Sequence, residues 1–318
     1  MKKVRRLDGT AMTAHADTSS ARQPEPKPSR RARGRLGRGF SVRSLIHVCL
    51  LALGFVFSIP LLWVITTSFK GQGGIFTYPI EWIPDPIVWS NYPRLLNVLT
   101  FSGWPGIVFF FRNTFFISIL ATVGTLVSSI LVAYSFARLQ WPERNFLFSL
   151  SLATMMLPSV VILIPTFLLF RDLKWLNTFM PMIVPFWFAV QGFYIFLLRQ
   201  FFLGLPAELE EAARIDGANS LRILWGIVVP LSRPAIVTVS IFSFLQHYNE
   251  FLSPLLYLNA VEKFPMALGM RMFQGTYTND WPLMMAATAT FILPTICLFL
   301  MAQRHFIQGI QLTGLAGR

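Results

Sequence analysis

Charge is scarce in this chain of 318 residues: 13% of its side chains are Asp, Glu, Lys or Arg, against roughly 25% in an average soluble domain. Hydrophobic residues reach 54%. That balance excludes a disordered protein and argues against an ordinary soluble one. Cysteine is scarcer still. Cys49 and Cys297 both sit in apolar runs without a CxxC pair, so the sequence encodes neither a disulfide framework nor a zinc site. A P-loop needs GxxxxGK[ST], and none of the six lysines precedes Ser or Thr. HExxH and GxSxG are absent, and His15, His47, His247 and His305 are scattered. The missing site chemistry disfavours an enzyme.

Positive charge is present, and its location decides its meaning. The formal charge is +13, but residues 1–44 hold 12 Lys and Arg against 3 acidic residues, so nine of the thirteen charges belong to this tail. With Pro24, Pro26 and Pro28 among arginines, and too long and hydrophilic for the first region of a signal peptide, residues 1–44 read as a disordered basic extension. Such a tail suits anionic lipid headgroups rather than nucleic acid.

Residues 45–318 form the second domain. A helix needs about 20 apolar residues to cross a bilayer. Six stretches qualify: 45–68, 109–136, 146–170, 179–202, 234–258 and 283–303. The expected fold class is therefore all-α, a polytopic membrane protein with six transmembrane helices. Cytoplasmic loops retain Lys and Arg. With the N-terminus inside, the inner segments total 20 such residues and the outer ones six, which places both termini in the cytoplasm. Pro60, Pro158, Pro165, Pro181, Pro185, Pro254 and Pro294 interrupt the spans. They fit kinked helices around a pathway, or the general tolerance of membrane helices for proline. The outer segment 69–108 carries Tyr78, Trp82, Trp89, Tyr92 and Trp104, a composition suited to an interfacial anchor.

The inner connection from Arg199 to Pro234 is written as structure rather than linker. Pro206 suits a first helical position, and Glu208, Glu210 and Glu211 then fall where the helix dipole favours negative charge. Leu209, Ala212, Ala213 and Asp216 follow helical spacing and form a small-residue face. Gly217 ends this helix, and Asn219 or Ser220 can cap a second one running from Leu221 to Pro230. Two readings of this hairpin stand on residue chemistry alone: docking to another protein, and packing at the membrane surface.

Glu211-Ala212-Ala213, then Gly217, then Ile227-Val228-Val229-Pro230 at the same spacing resembles the EAA loop, EAA-x3-G-x9-I-x-L-P, of ABC importer permeases, with Val229 in place of Leu. The segment 244–258, FLQHYNEFLSPLLYL, is similar to the W-N-E-F-x-x-P-L segment of sugar-type permeases, as are 279–286 and 303–309 to other parts of that subfamily. The chain thus resembles the MalG-like permeases of binding-protein-dependent carbohydrate importers, from residue 45 onward. The resemblance implies a multi-pass subunit of a bacterial inner membrane. Its partners would be a second, related permease, two cytoplasmic ABC ATPases and an extracytoplasmic solute-binding protein. This chain would bind no cofactor or metal; ATP and Mg would sit on the ATPase. Glu211, Ala212, Ala213, Asp216, Gly217, Ile227 and Pro230 are the expected ATPase-docking residues. The remaining alternatives are an ion-coupled secondary transporter, an ABC permease for a non-sugar solute, and a membrane scaffold.

Glu250 is the one carboxylate deep in an expected span, and a charge there costs about 2.5 to 3.5 kcal/mol on insertion scales. Gln246, Tyr248, Asn249 and Ser253 surround it in sequence, and Asn113 lies at the mouth of the second span. These residues suit either a solute path or a polar cluster between subunits.

Overall fold

The structure is a computed structural model describing residues 33–315 except 76 and 274–279, with side chains from 42 to 303 apart from Ser159. Most of the expected tail, residues 1–32, lies outside the described residues, as do Asn279 and the side chains of the family-like ending beyond Gln303. The chain divides into two units, Met1–Ser58 and Ile59–Arg318.

Helix α1 runs Arg33–Ser68 and crosses that division. Residues 33–44, expected as part of the disordered tail, have a helical backbone that continues the apolar span, although Gly34, Gly37 and Gly39 favour helix poorly. Over residues 48–57 this helix is apolar on every side, with Leu51, Phe55 and Phe57 exposed. Such a surface suits lipid.

The second unit continues with α2 (Asn91–Asn97), α3 (Gly106–Arg138), α4 (Arg144–Thr154), α5 (Ser159–Asp172), α6 (Met180–Ile183) and α7 (Gly192–Leu203). After these come α8 (Glu208–Ile215), α9 (Ser220–Ile223), a π-helical turn at Leu224–Val228 and α10 (Val229–Leu231). The last elements are α11 (Arg233–Tyr248), α12 (Leu252–Tyr257), α13 (Met266–Gly269) and α14 (Trp281–Leu315). Strands β1 (Thr100–Phe101) and β2 (Trp104–Pro105) make one small antiparallel hairpin, turned at Ser102 and Gly103, both with positive φ.

Among the described residues, four helices are long and apolar enough to cross a membrane: Val42–Ser68, Gly106–Arg138, Met180–Leu203 and Trp281–Gln303. A fifth arises if Ser220–Leu231 and Arg233–Tyr248, bent by 82°, count as one span. Six were expected, and proline explains much of the difference. The stretch 146–170 is divided between α4 and α5, 11 and 14 residues long, by a break ending at Pro158. Proline disfavours helical conformation in the residue before it and donates no hydrogen bond. The stretch 234–258 breaks at 249–251 for a related reason. Pro254 has no N–H for the Glu250 carbonyl, and its ring would crowd that group in a continuous helix.

Helix α3 is the central post, packed against α7, α11 and the 3-10 turn Val184–Phe188. No proline interrupts it, and Gly, Ala, Ser and Thr on its buried side let neighbours approach closely. Its C-terminal half joins α7, α9 and α11 in one apolar cluster around Tyr134, Leu198, Phe202, Leu224 and Val239. Its N-terminal half joins α2, α13 and α14 around Phe110, Tyr248, Met266 and Phe291.

Candidate functional site

The connection between α7 and α11 folds as a compact helical hairpin. Helix α8 opens with Glu208, Glu210 and Glu211 in its first turn, where unpaired N–H groups attract negative charge. It closes at Gly217, whose φ of +80° is costly for any residue with a Cβ. Gly217 N–H donates to Arg214 O at 3.0 Å and Ala218 N–H to Ala213 O at 2.9 Å, the paired bonds of a Schellman cap. Ala213 and Ala218 both pack on the α3–α7 cluster, which supplies the apolar contact such a cap requires. Asn219 then caps α9, its Oδ1 accepting from Arg222 N–H at 2.8 Å.

The residues expected on one small face separate in space. Ala213 turns inward, whereas Leu209, Ala212 and Asp216 stay exposed with Glu211 and Gly217. Ala212 and Ala213 cannot share a face, because adjacent residues lie about 100° apart around the axis. Leu209, Ala212 and Ile215 recur every three residues on the outer side, and Ile215 is 87% exposed. The second half of the hairpin is anchored. Ile223, Leu224 and Val228 are almost fully buried, with Ile227 and Pro230 half-buried beside them. The expected stop at Pro230 does not occur. The π-helical turn shifts the hydrogen-bond pattern ahead of it, and Pro230 sits in the first turn of α10, where a missing N–H costs little. The chain bends at Ser232 instead.

Arg138, one of the 20 Lys and Arg residues counted on the inner side, has a role that no sequence pattern indicates. At the end of α3 its Nη2 donates to Phe202 O at 2.5 Å and Leu205 O at 2.6 Å, and its Nε lies 3.0 Å from Glu210 Oε1. Both side chains are about nine-tenths buried. The Nε to Oε1 approach is an ion pair off the line of a hydrogen bond. No sequence pattern links residues so far apart in the chain.

The polar stretch disperses into separate tasks. Tyr248 is fully buried, stacked 4.6 Å from Phe291 and donating to the Phe291 carbonyl at 2.9 Å, so it belongs to the core rather than to a path or a subunit surface. Glu250 occupies the break between α11 and α12, its Oε1 accepting from Ser253 N–H at 3.0 Å. It thereby satisfies one of the N–H groups that a helix start leaves free. Gln246 is exposed and accepts from the Tyr194 hydroxyl at 2.9 Å, while Asn249 is exposed and bonds back to Leu245 O. Asn113 donates to Glu262 O at 2.8 Å and Phe264 O at 3.2 Å. Thr114 accepts from Met266 N–H at 2.7 Å. These two residues fasten the 262–266 segment to α3.

Thr114, Gln246, His247, Glu250 and Ser253 line a cavity of about 50 Å³ with Phe186 and Pro254. That is room for a few waters, each needing at least about 10 to 15 Å³, rather than for a sugar ring. Among the described residues, no cluster of three or more His, Cys, Asp or Glu could hold a metal ion.

A helical, multi-pass chain whose α7–α11 connection is a capped and anchored hairpin has the form of a transport permease. Residues 124–311 match the model of the family described as the binding-protein-dependent transport system inner membrane component, and the chain belongs to that family. It is a multi-pass inner-membrane permease subunit of the ABC transporter class and not an enzyme, and the ion-coupled carrier and scaffold readings fall with that finding. It is 32% identical to the sulfoquinovosyl glycerol transport system permease protein SmoH of Agrobacterium fabrum, covering 81% of this chain and 88% of that one. It is 33% identical to the arabinooligosaccharides transport system permease protein AraQ of Halalkalibacterium halodurans, covering 84% and 96%. Its structure resembles a chain of a bacterial ABC transporter involved in the import of the acidic polysaccharide alginate, with TM-score 0.72, 25% identity and coverage of 89% and 100%.

Proposed function

We propose that this chain is one permease half of an ATP-driven importer for a sugar or oligosaccharide. It would pair with a second, related permease, two cytoplasmic ATPases that hold ATP and Mg, and an extracytoplasmic binding protein. The observation carrying this reading is the α8 hairpin. Its inner side is fixed to the bundle by Ala213, Ile223 and Leu224, while Leu209, Glu211, Ala212 and Ile215 remain exposed. An exposed apolar and acidic helix on a rigid base suits a cleft on a partner. Surface packing in the membrane interface is served less well, because acidic side chains flank the apolar positions.

In this reading Glu211, Ala212 and Asp216 contact the ATPase, while Gly217, Ile227 and Pro230 hold the hairpin angle. Helices α4 and α5 together make the sixth crossing, and both termini are cytoplasmic. Gln246, which is exposed and lines the small cavity, and Asn249, which is exposed one turn from Leu245, are the path candidates. Sulfoquinovosyl glycerol, arabinooligosaccharides and alginate, named for three of the similar proteins, are saccharides or glycosides, whereas sn-glycerol-3-phosphate, named for the permease UgpE of Yersinia pestis at 30% identity, is not.

The test replaces Glu211 with Ala in the assembled transporter and measures ATPase co-purification together with uptake in proteoliposomes. Loss of either supports docking, and normal values for both overturn it. A thermal-shift screen of the cognate binding protein against arabinooligosaccharides, alginate oligosaccharides, sulfoquinovosyl glycerol and the non-saccharide sn-glycerol-3-phosphate tests the solute class. Stabilisation by a non-saccharide alone would make the chain a permease for another solute.

A further inference from the structure

Three helix ends meet at one buried ion pair. Arg138 is the last residue of α3, and its guanidinium also caps the end of α7 through the Phe202 and Leu205 carbonyls. Its remaining Nε faces Glu210, in the first turn of α8. The charges match the helix dipoles throughout: a cation where α3 and α7 end, an anion where α8 begins. The surroundings repeat the pattern, because Tyr134, one turn before Arg138, is an electrostatic neighbour of Glu210 and of Arg214, one turn after Glu210.

Apolar contact along α8 itself is slight. Ala213 is its side-chain contact with the apolar cluster, and an alanine buries a single methyl group. The guanidinium, by contrast, fixes three groups in a planar array that a lysine could not reproduce.

We propose that Arg138 and Glu210 are positioning residues that make α8 and α3 move as one body, so that displacement of the α8 hairpin reaches the membrane-spanning post directly. The proposal rests on α8 being the ATPase-docking helix. Backbone connectivity alone would not achieve this. The 204–207 segment joins α8 to α7, while α3 meets α8 through side chains. The pair therefore adds, to the apolar anchoring of the hairpin's second half, a direct charged link from α8 itself to the central helix.

The experiment uses the full transporter with Cys49 and Cys297 replaced by Ser, both being exposed. Spin labels go on Glu208→Cys in α8 and Val108→Cys near the start of α3, both at exposed positions. Pulsed electron paramagnetic resonance reads their separation without nucleotide and with Mg and a non-hydrolysable ATP analogue. With the native pair, the separation is expected to stay fixed when nucleotide binds. In Glu210→Gln it should shift or broaden beyond the native distribution. Where Glu210→Gln fails to assemble, the double variant Arg138→Met with Glu210→Leu keeps the site filled without burying a lone charge, and it should show the same loosening. A native separation that changes with nucleotide, or a variant separation that does not, overturns the proposal. Failure of the functional reading is a different result: no ATPase co-purifies with the otherwise native chain, and nucleotide binds nothing.

Discussion

Arg138 and Glu210 hold opposite charges 3.0 Å apart in a nearly dry site, and each is placed by the end of a different helix. A buried pair of this kind contributes less to net stability than to geometry, because desolvation offsets much of the attraction. Removing one partner is another matter. Glu210→Ala leaves the Arg138 charge buried and should cost about 3 to 5 kcal/mol, whereas Arg138→Met with Glu210→Leu buries no charge and should cost less, about 1 to 3 kcal/mol, for the Phe202 and Leu205 carbonyls that lose their donor. Thermal unfolding of the detergent-purified chain checks this. A single variant as stable as the double one would contradict it.

Gly217 offers a cleaner separation of causes. A Cβ there would meet nothing within 4 Å, so substitution costs only backbone strain at φ +80°. Gly217→Ala should cost about 1 to 2 kcal/mol, and Gly217→Asn, which tolerates the left-handed region, noticeably less. Gly217→Val should be the worst of the three. Uptake and ATPase retention should fall in that order, and equal loss in all three would point to a steric role at the interface instead.

At Glu250 the competing roles differ in what they require. A cap for α12 needs an acceptor oxygen, which Gln retains, so Glu250→Gln should keep near-normal uptake while Glu250→Ala costs about 1 kcal/mol of local stability. A solute contact needing the negative charge would fail in both. Uptake rates for the two variants decide the matter.

Gly269 lets α13 lie directly on α3. A Cβ built there falls 2.5 Å from Phe110 Cδ2, and Phe110 is fully buried with no room to retreat. Gly269→Ala should therefore destabilise by about 1 to 3 kcal/mol through overpacking. Gly269→Ala with Phe110→Leu should recover part of that loss, measured as monodisperse yield and melting temperature.

How much could be read beforehand varies by element. The span at Val42–Ser68 and helix α3 were legible because an unbroken apolar run of that length has few alternatives. The split of 146–170 was not, although Pro158 was visible, since proline in a membrane helix sometimes kinks and sometimes breaks it. Within the hairpin, the Gly217 end and the Asn219 cap followed from local chemistry. Which face of α8 turned inward did not, because both sides carry alanines and acids. Arginines counted for membrane orientation proved to have neighbours as well. Arg144 bonds the Leu139 carbonyl at 2.9 Å, and Arg199 covers the Phe148 ring at 4.0 Å. A tally of charges contains no information about such partners.

The sequence by itself determined the class of this protein. Hydropathy selects the membrane, and the spacing from Glu211 to Pro230 specifies a hairpin, because both depend on residues near one another in the chain. Only the tertiary structure decided that Tyr248 belongs to the core, that Asn113 fastens the 262–266 segment to α3, and that Arg138 reaches Glu210. Those facts depend on which helix ends meet, and packing settles that through the few arrangements in which buried charges and free backbone groups all find partners.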